Sequence, residues 1–514
     1  METPALHHAF LILAACLVAG TILSAGCTDT VPAAKTTGNL AGFDDFVGRT
    51  MTGYGVPGAV VGIVENDSVV YLKGFGVREL GKPAPVDPDT RFQIASVSKY
   101  VTAGAIGTLV DEGRLKWDTP VVTYLPGFAL NDTYAGEHAT LRDLLAHRTG
   151  LRQYDGDLLG RLGYSAGEIL ERMRYLQPGS VFREKYLYSN AGFFIAGEAA
   201  ARVDNRSWED LTDVRIIAPL GMTRSGAHPE TLYLDDNHVA GHVGTGGDVR
   251  TMPLEEASLP AAGQVVSTGR DMTQWLRMML NNGSVDGRRI LSPESVKEIH
   301  AASLVAGRGG PLDDPNAAVG LGCDSYTFLD QRVIEKNGAL DGVRSIVILV
   351  PGKKAGLVVI ANKQLTVFPE AVRDEFLERY VGTSGVDLQA REKVNQAGWN
   401  SFVKTIERPA NASPAAIAPS AIAGAYRSEL YGTLQVAEGA DAGNMTVLFG
   451  PNGYPGSLMH ITNDTWYLSF PNPDDQVAYL TFASGPSGAV TGFASEEIGP
   501  FSRVPETPFK EPER

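Results

Sequence analysis

The sequence predicts an α+β domain whose sheet joins both ends of the domain, followed by a small antiparallel β-barrel or sandwich. Two patterns carry this prediction. From about Gly42 to Gly382, strand-like runs lie at both ends with helix-like runs between them. From 421 to 504, short alternating runs are broken by Gly, Asn and Pro. The length of 514 residues agrees, since domains run to ~100–200 residues and this chain needs two or three.

The elements follow in order. Ala9 to Leu23 is apolar apart from Thr21, and Ser24-Ala25-Gly26-Cys27 and a polar run come next. Residues 1–27 read as an export signal, too short and too poorly flanked for a transmembrane helix. The end resembles a lipoprotein signal with Cys27 as the lipidated residue. Ser24 stands where that pattern prefers Leu, and the early stretch carries no Lys or Arg. Cleavage without lipid and an uncleaved anchor remain open, as does the alternative Leu13-Ala14-Ala15-Cys16. All of these place the rest of the chain outside the cytoplasm.

Gly58–Val64 and Val69–Tyr71 read as a hairpin turning at Glu65-Asn66-Asp67. Arg91–Ala95 reads as a strand, and Ser96–Glu112 as a helix closing on Gly113. Leu141–His147 and Asp271–Leu280 read as helices. Strands return at Arg332–Glu335, Ser345–Val350 and Gly356–Ala361, and Asp374–Tyr380 closes the domain as a helix. Residues 383–420 read as a helix (Leu388–Ile406) and a Pro/Ala-rich linker. Barrel strands are expected around Tyr426 and at 434–436, 446–449, 465–469, 477–482 and 490–493, before a tail from 505.

Composition excludes several classes. With 43% apolar and 20% charged residues the chain is not disordered. A net charge of −15 makes nucleic acid a poor partner. Residues 421–504 carry two Arg and eight Asp/Glu, so the C-terminal module is unsuited to gripping anionic polymers. Three cysteines (Cys16, Cys27 and Cys323) cannot build a disulfide framework or a cysteine zinc site.

Three short elements carry chemistry: Ser96-Val97-Ser98-Lys99, Tyr188-Ser189-Asn190 and Lys336-Asn337-Gly338. Alone, two of them are weak, because Ser401–Lys404 also fits Ser-x-x-Lys and Lys354–Gly356 fits Lys-x-Gly. Of 18 tyrosines only Tyr188 has Asn two residues on. Context separates them: Ser96 follows a strand and opens an apolar helix, and Lys336 ends a strand. A serine hydroxyl needs a base in hydrogen-bond reach to act as a nucleophile. Ser96 at a helix N-terminus would meet a favourable dipole, with Lys99 one turn on along the same face. Buried beside a serine, Lys99 can be a base or a positive field. Two ammonium groups should lower the pKa of Tyr188, making it a general base toward Ser96 and toward the hydrolytic water. Asn190 would orient Lys99 or a substrate amide. Asn337 and Gly338 would let substrate lie along the strand edge. The N–H groups of Ser96 and Ala339 would form the oxyanion hole.

These residues resemble those of the serine beta-lactamase and penicillin-binding-protein superfamily, nearest to class C beta-lactamases and their peptidase and esterase cousins. Asp89–Ala95, Leu144–Leu151, Pro219–Met222 and Ser267–Asp271 are similar to further family segments. The order and spacing also fit, with 92 residues from Ser96 to Tyr188 and 148 from there to Lys336. The resemblance spans roughly Gly42 to Gly382. It implies a beta-lactamase/transpeptidase-like domain, an antiparallel sheet flanked by helices plus an all-helical part, over 38–382. It also implies Ser96, Lys99, Tyr188 and Lys336 as nucleophile, its lysine, the tyrosine and the last-strand lysine. Asn337 departs from the usual Thr, and Lys336 leans toward lactamases and D-peptidases rather than esterases. The absence of a class A glutamate motif leaves deacylation to Tyr188. Residues 421–504 resemble the lipocalin-like domain of related hydrolases, on Tyr426 and Tyr431-Gly432.

The remaining residues have plainer readings. His147 stabilises a turn beside the site; His238 and His242 lie in a loop and bind no metal; Cys323 packs in a strand; Trp466-Tyr467 belongs to the barrel core. The leading expectation is an exported serine hydrolase of beta-lactams or D-amino-acid peptides, with esterase third. A non-catalytic penicillin-binding or sensor module is the rival. No cofactor is expected. The partners expected are a small-molecule or peptide substrate, the membrane only through an N-terminal lipid or signal anchor, and another copy of the chain in a homo-oligomer.

Overall fold

A computed structural model of the chain describes residues 40–245, 248–402, 413–439, 444–471 and 477–505. The expected signal with Cys16 and Cys27, residues 403–412 of the linker and nearly all of the tail lie outside them.

The catalytic part is built on one antiparallel sheet of eight strands. In chain order these are β1 (Gly58–Glu65), β2 (Ser68–Gly76), β3 (Leu304–Gly309), β4 (Asp314–Val319), β5 (Asp324–Phe328), β6 (Gln331–Leu340), β7 (Val343–Val350) and β8 (Ala355–Ala361). Their order across the sheet is β2-β1-β8-β7-β6-β5-β4-β3. The two ends of the domain meet at β1 and β8, where Val60 faces Ile360 and Gly62 faces Val358. β1, β7 and β8 read as nearly continuous apolar runs because both faces of the sheet are covered. Helices α1 (Phe43–Gly53) and α2 (Phe368–Tyr380) cover one face, around Phe43, Ile346, Val359 and Phe376. The helical part lies against the other.

Two expectations about the sheet need correction. β3, β4 and β5 are strands that the sequence pattern does not predict; β3 is largely exposed and lacks an apolar alternation to betray it. Arg91–Ala95 is a strand only at Phe92–Gln93, which pairs with Val266–Ser267 outside the main sheet. The chain then turns sharply, and Ala95 takes the left-handed conformation (φ 48°), a geometry costly to a residue with a Cβ.

The C-terminal part is a closed barrel of eight antiparallel strands, including Tyr454–Thr462 and Phe501–Val504, which the sequence reading passed over. Alternation fills its interior: Trp466 and Leu468 point in, while Tyr467 between them faces out. Tyr426, Phe482, Phe493 and Phe501 meet as stacked and edge-on rings. One apolar cluster runs from the helical part into this interior, and the described residues form one compact unit.

Candidate active site

Ser96 sits in a single 3-10 turn, Ala95–Val97, not in the first turn of the helix proper, which is Ser98–Asp111. Three contacts fix this turn. Ile94 N–H donates to the Val265 carbonyl (3.0 Å), and the Ile94 carbonyl accepts from Ser345 Oγ (2.6 Å). Gly338 of β6 lies so close that an added Cβ would stand 2.6 Å from the Ile94 oxygen and 2.9 Å from the Ser96 nitrogen. Glycine is therefore a steric requirement here, and it brings β6 against the N–H of Ser96.

The helix after Ser96 is buried on nearly every side. Lys99 is fully buried in it. Its ammonium nitrogen contacts Ser96 Oγ at 3.1 Å and donates to the Ala262 carbonyl at 2.8 Å. Tyr188 Oη donates to Ser96 Oγ at 2.8 Å. Ser189 explains how Tyr188 arrives there. It caps helix Asn190–Asp204 by accepting from Gly192 N–H (3.1 Å), so the chain bends at this residue. The Ser189 N–H donates in turn to Nδ1 of buried His147 (3.0 Å), whose ring packs 4.6 Å from that of Tyr188. His147 thus supports the bend. Lys336, also buried, lies 5.3 Å from the centre of the Tyr188 ring and 3.8 Å from Asp324.

The electrostatics reverse one expectation. Burial pushes the Tyr188 phenol above its usual value, and this outweighs the lowering by Lys336 and by the Ser96 hydrogen bond. Burial drives Lys99 well below the usual lysine value, and the charge on Lys336 pushes the same way. Lys336 moves up, because Asp324 and the Tyr188 phenol more than offset its own burial. These shifts disfavour charge on Lys99 and on Tyr188 and favour it on Lys336. His147 is held neutral by burial and by the two lysines.

Asn190 differs from expectation. Its amide donates to Asp157 Oδ2 (2.6 Å), and the Ala262 carbonyl takes the role of orienting Lys99. Burial raises Asp157 to about 7. Two clefts flank Ser96, of about 290 and 560 Å3. Both are lined by Ser96, Tyr154, Asn190, Ala339, Arg344 and Trp399; Asn337 lines the larger one. Tyr154, Asp157, Arg344 and Trp399 had no signal in the sequence. Trp399 belongs to helix Leu388–Phe402, expected only as a lead-in to a linker.

Other singled-out residues are placed as follows. His242 lies in a short strand, Gly241–Val243, not a loop. Its Nδ1 meets the Asn362 carbonyl at 2.7 Å and its Nε2 accepts from Leu80 N–H at 3.0 Å. His238 bonds the Asp235 carbonyl. Among the described residues no group of His, Cys, Asp and Glu could hold a metal, and no helix is long and apolar enough to cross a membrane. Cys323 is buried just ahead of β5, with Sγ 3.4 Å from the Ile299 carbonyl. Ser401 lies on a helix, while Lys404 lies outside the described residues.

The beta-lactamase family profile matches residues 43–381, about two thirds of the chain. The chain belongs to the beta-lactamase family. Among relatives of this family, a protein named unguisins hydrolase from Aspergillus campestris (strain IBT 28561) is 25% identical over 391 residues, 71% of this chain and 68% of that one. Protein flp of Staphylococcus aureus is 27% identical over 329 residues, and the chain spans 62% of its length. Two solved structures share the fold. The octameric penicillin-binding protein homologue from Pyrococcus abyssi has a TM-score of 0.56 at 21% identity, covering 90% of this chain and all of that one. A D-stereospecific amidohydrolase from Streptomyces sp. has 0.54 at 21%, covering 67% and 99%. The chain thus has a beta-lactamase-family serine hydrolase fold, and two of these proteins are named as a hydrolase and an amidohydrolase.

Proposed function

We propose that this beta-lactamase-family protein is an exported serine hydrolase that opens an amide bond through an acyl-enzyme on Ser96, acting on peptides that contain D-residues. The observation that carries the reading is the pair of hydrogen-bond partners on Ser96 Oγ, Lys99 at 3.1 Å and Tyr188 at 2.8 Å. The relatives named as a hydrolase and a D-stereospecific amidohydrolase support an amide over an ester. Two clefts meeting at Ser96 suit a substrate extending on both sides of the bond. Beta-lactam hydrolysis is the second reading, favoured by Lys336. The apolar N-terminal segment ending at Cys27 supports an extracytoplasmic, lipid-anchored protein.

The protonation states assign the steps. Neutral Lys99 takes the Ser96 hydroxyl proton as Oγ attacks the amide carbon. The N–H groups of Ser96 and Ala339 receive the oxyanion. Tyr188, still protonated, gives its proton to the leaving nitrogen as the C–N bond breaks. Charged Lys336 and the newly charged Lys99 stabilise the phenolate. In the second half the phenolate takes a proton from water, whose oxygen attacks the acyl carbon. When that intermediate collapses, Ser96 Oγ recovers its proton from Lys99, and a carboxylic acid leaves. Tyr188 is thus acid first and base second.

The test follows residues 28–514 with a D-Ala-D-Ala peptide, a chromogenic cephalosporin and a p-nitrophenyl ester, each repeated with Ser96→Ala. Loss of peptide turnover in the variant is expected. Unchanged turnover would sink the mechanism, and a stable adduct without turnover would favour a penicillin-binding role.

A further inference from the structure

Segment 152–172 faces the catalytic centre on one side and the barrel on the other. Toward the centre it supplies Tyr154, whose ring lies 5.7 Å from that of Tyr188, and Asp157, which holds Asn190. Tyr154 stands in the left-handed conformation (φ 60°), which a residue with a Cβ adopts only when its surroundings enforce it. The enforcement comes from behind. β9 (Gly424–Ser428) and β10 (Gly432–Glu438) are joined by a turn that enters the helical part. Its Tyr431 is completely buried. The hydroxyl donates to Asp155 Oδ1 (3.1 Å) and accepts from Gly156 N–H (3.3 Å), the two residues between Tyr154 and Asp157. A buried phenol needs such partners.

The grip extends along the segment. Arg172 donates to the carbonyls of Glu429 (2.7 Å) and Leu430 (2.8 Å) and stacks 3.9 Å over the Tyr164 ring. Tyr164 Oη donates to the Tyr431 carbonyl (3.2 Å), and Asn452 of the barrel donates to the Arg161 carbonyl (2.7 Å). Gly432, at φ 74°, leaves the space that the Tyr164 hydroxyl occupies.

We propose that the barrel is a working part of the catalytic site: Tyr431 is a positioning residue that sets the Tyr154–Asp157 wall, of which Tyr154 lines both clefts and Asp157 the smaller one. The barrel thereby decides which groups fit beside the scissile bond. This rests on Ser96 being the nucleophile. A small reagent that needs only Ser96 should be nearly indifferent to the wall, whereas a bulky one that fills the clefts should not.

The test uses the full chain and compares labelling of Ser96 by a small fluorophosphonate and by one carrying benzyl and peptide-amide arms. Tyr431→Phe should slow the bulky reagent at least tenfold and the small one less than threefold. Tyr154→Ala should do the same, and the double variant should lose no more than Tyr154→Ala alone, because both act on one wall. Tyr467→Phe, on the outer face of the barrel, should match the wild type. Equal slowing of both reagents by Tyr431→Phe, or additive losses in the double variant, would reduce Tyr431 to a packing residue and overturn the proposal. Failure of the wild-type chain to label at Ser96 would instead overturn the reading beneath it.

Discussion

The barrel and the helix–sheet junction of the catalytic domain both bury large side chains, but with different contents. The barrel interior is aromatic and aliphatic, with Tyr426, Phe482 and Phe493 in mutual ring contact and Trp466 edge-on to His460. At the junction two buried lysines stand beside a half-buried tyrosine and serine, and withdrawal from water disfavours charge on Lys99 and on Tyr188. The same withdrawal from water that stabilises an apolar ring destabilises an ammonium. In the barrel burial supplies stability; at the junction it lowers the pKa of Lys99, as the proposed base role requires, at the expense of stability.

That contrast predicts opposite responses to mutation. Ser96→Ala should lower turnover by ~10³-fold or more while leaving the thermal midpoint nearly unmoved, as steady-state kinetics and calorimetry would show. Lys99→Met should cost ~10²–10⁴-fold in kcat and leave the fold as stable or more so, because an apolar chain replaces a buried amine. A marked loss of stability would mean that Lys99 is charged at rest. The pH profile checks the same point. A lysine with a lowered pKa gains activity as pH rises through that value, so kcat/KM should climb well below the ordinary lysine range. Tyr188, pushed upward, should bring no alkaline fall until above about 10.

Gly338→Ala should act on the junction through geometry alone. Its new methyl group would displace the Ile94–Ser96 turn, and a shift of about 1 Å there costs on the order of 10²-fold in rate. Near-normal Ser96 labelling in this variant would show that the turn can yield. The smallest effect on chemistry is expected from Phe482→Ala. It should remove ~3–5 kcal/mol of stability, read by denaturant unfolding, with kcat per folded molecule within about twofold of wild type. A large fall in kcat there would extend the barrel's influence from Tyr431 to its whole interior.

Much of this was legible in the sequence where a local pattern forces the outcome. The hairpin at Glu65–Asp67 and the alternation around Trp466 are local, so they could be read directly. β3 escaped notice because an exposed edge strand has no obligatory apolar face. Ser96, Lys99, Tyr188 and Lys336 could be singled out, but the direction in which Tyr188 titrates could not. It depends on whether burial or the neighbouring charges win, and sequence conveys only the charges. Asp157, Tyr154 and Trp399 carry no motif, and they belong to the site only because distant segments fold against it.

The sequence by itself determined the residue types of the catalytic set, their order and the alternation that closes the barrel, because short-range spacing and periodicity specify these. Tertiary structure alone decided the directions in which Lys99 and Tyr188 shift, the pairing of Asn190 with Asp157 and the docking of Tyr431 behind the Tyr154–Asp157 segment. Each of these depends on which groups exclude water from one another, and that is a property of the packed chain.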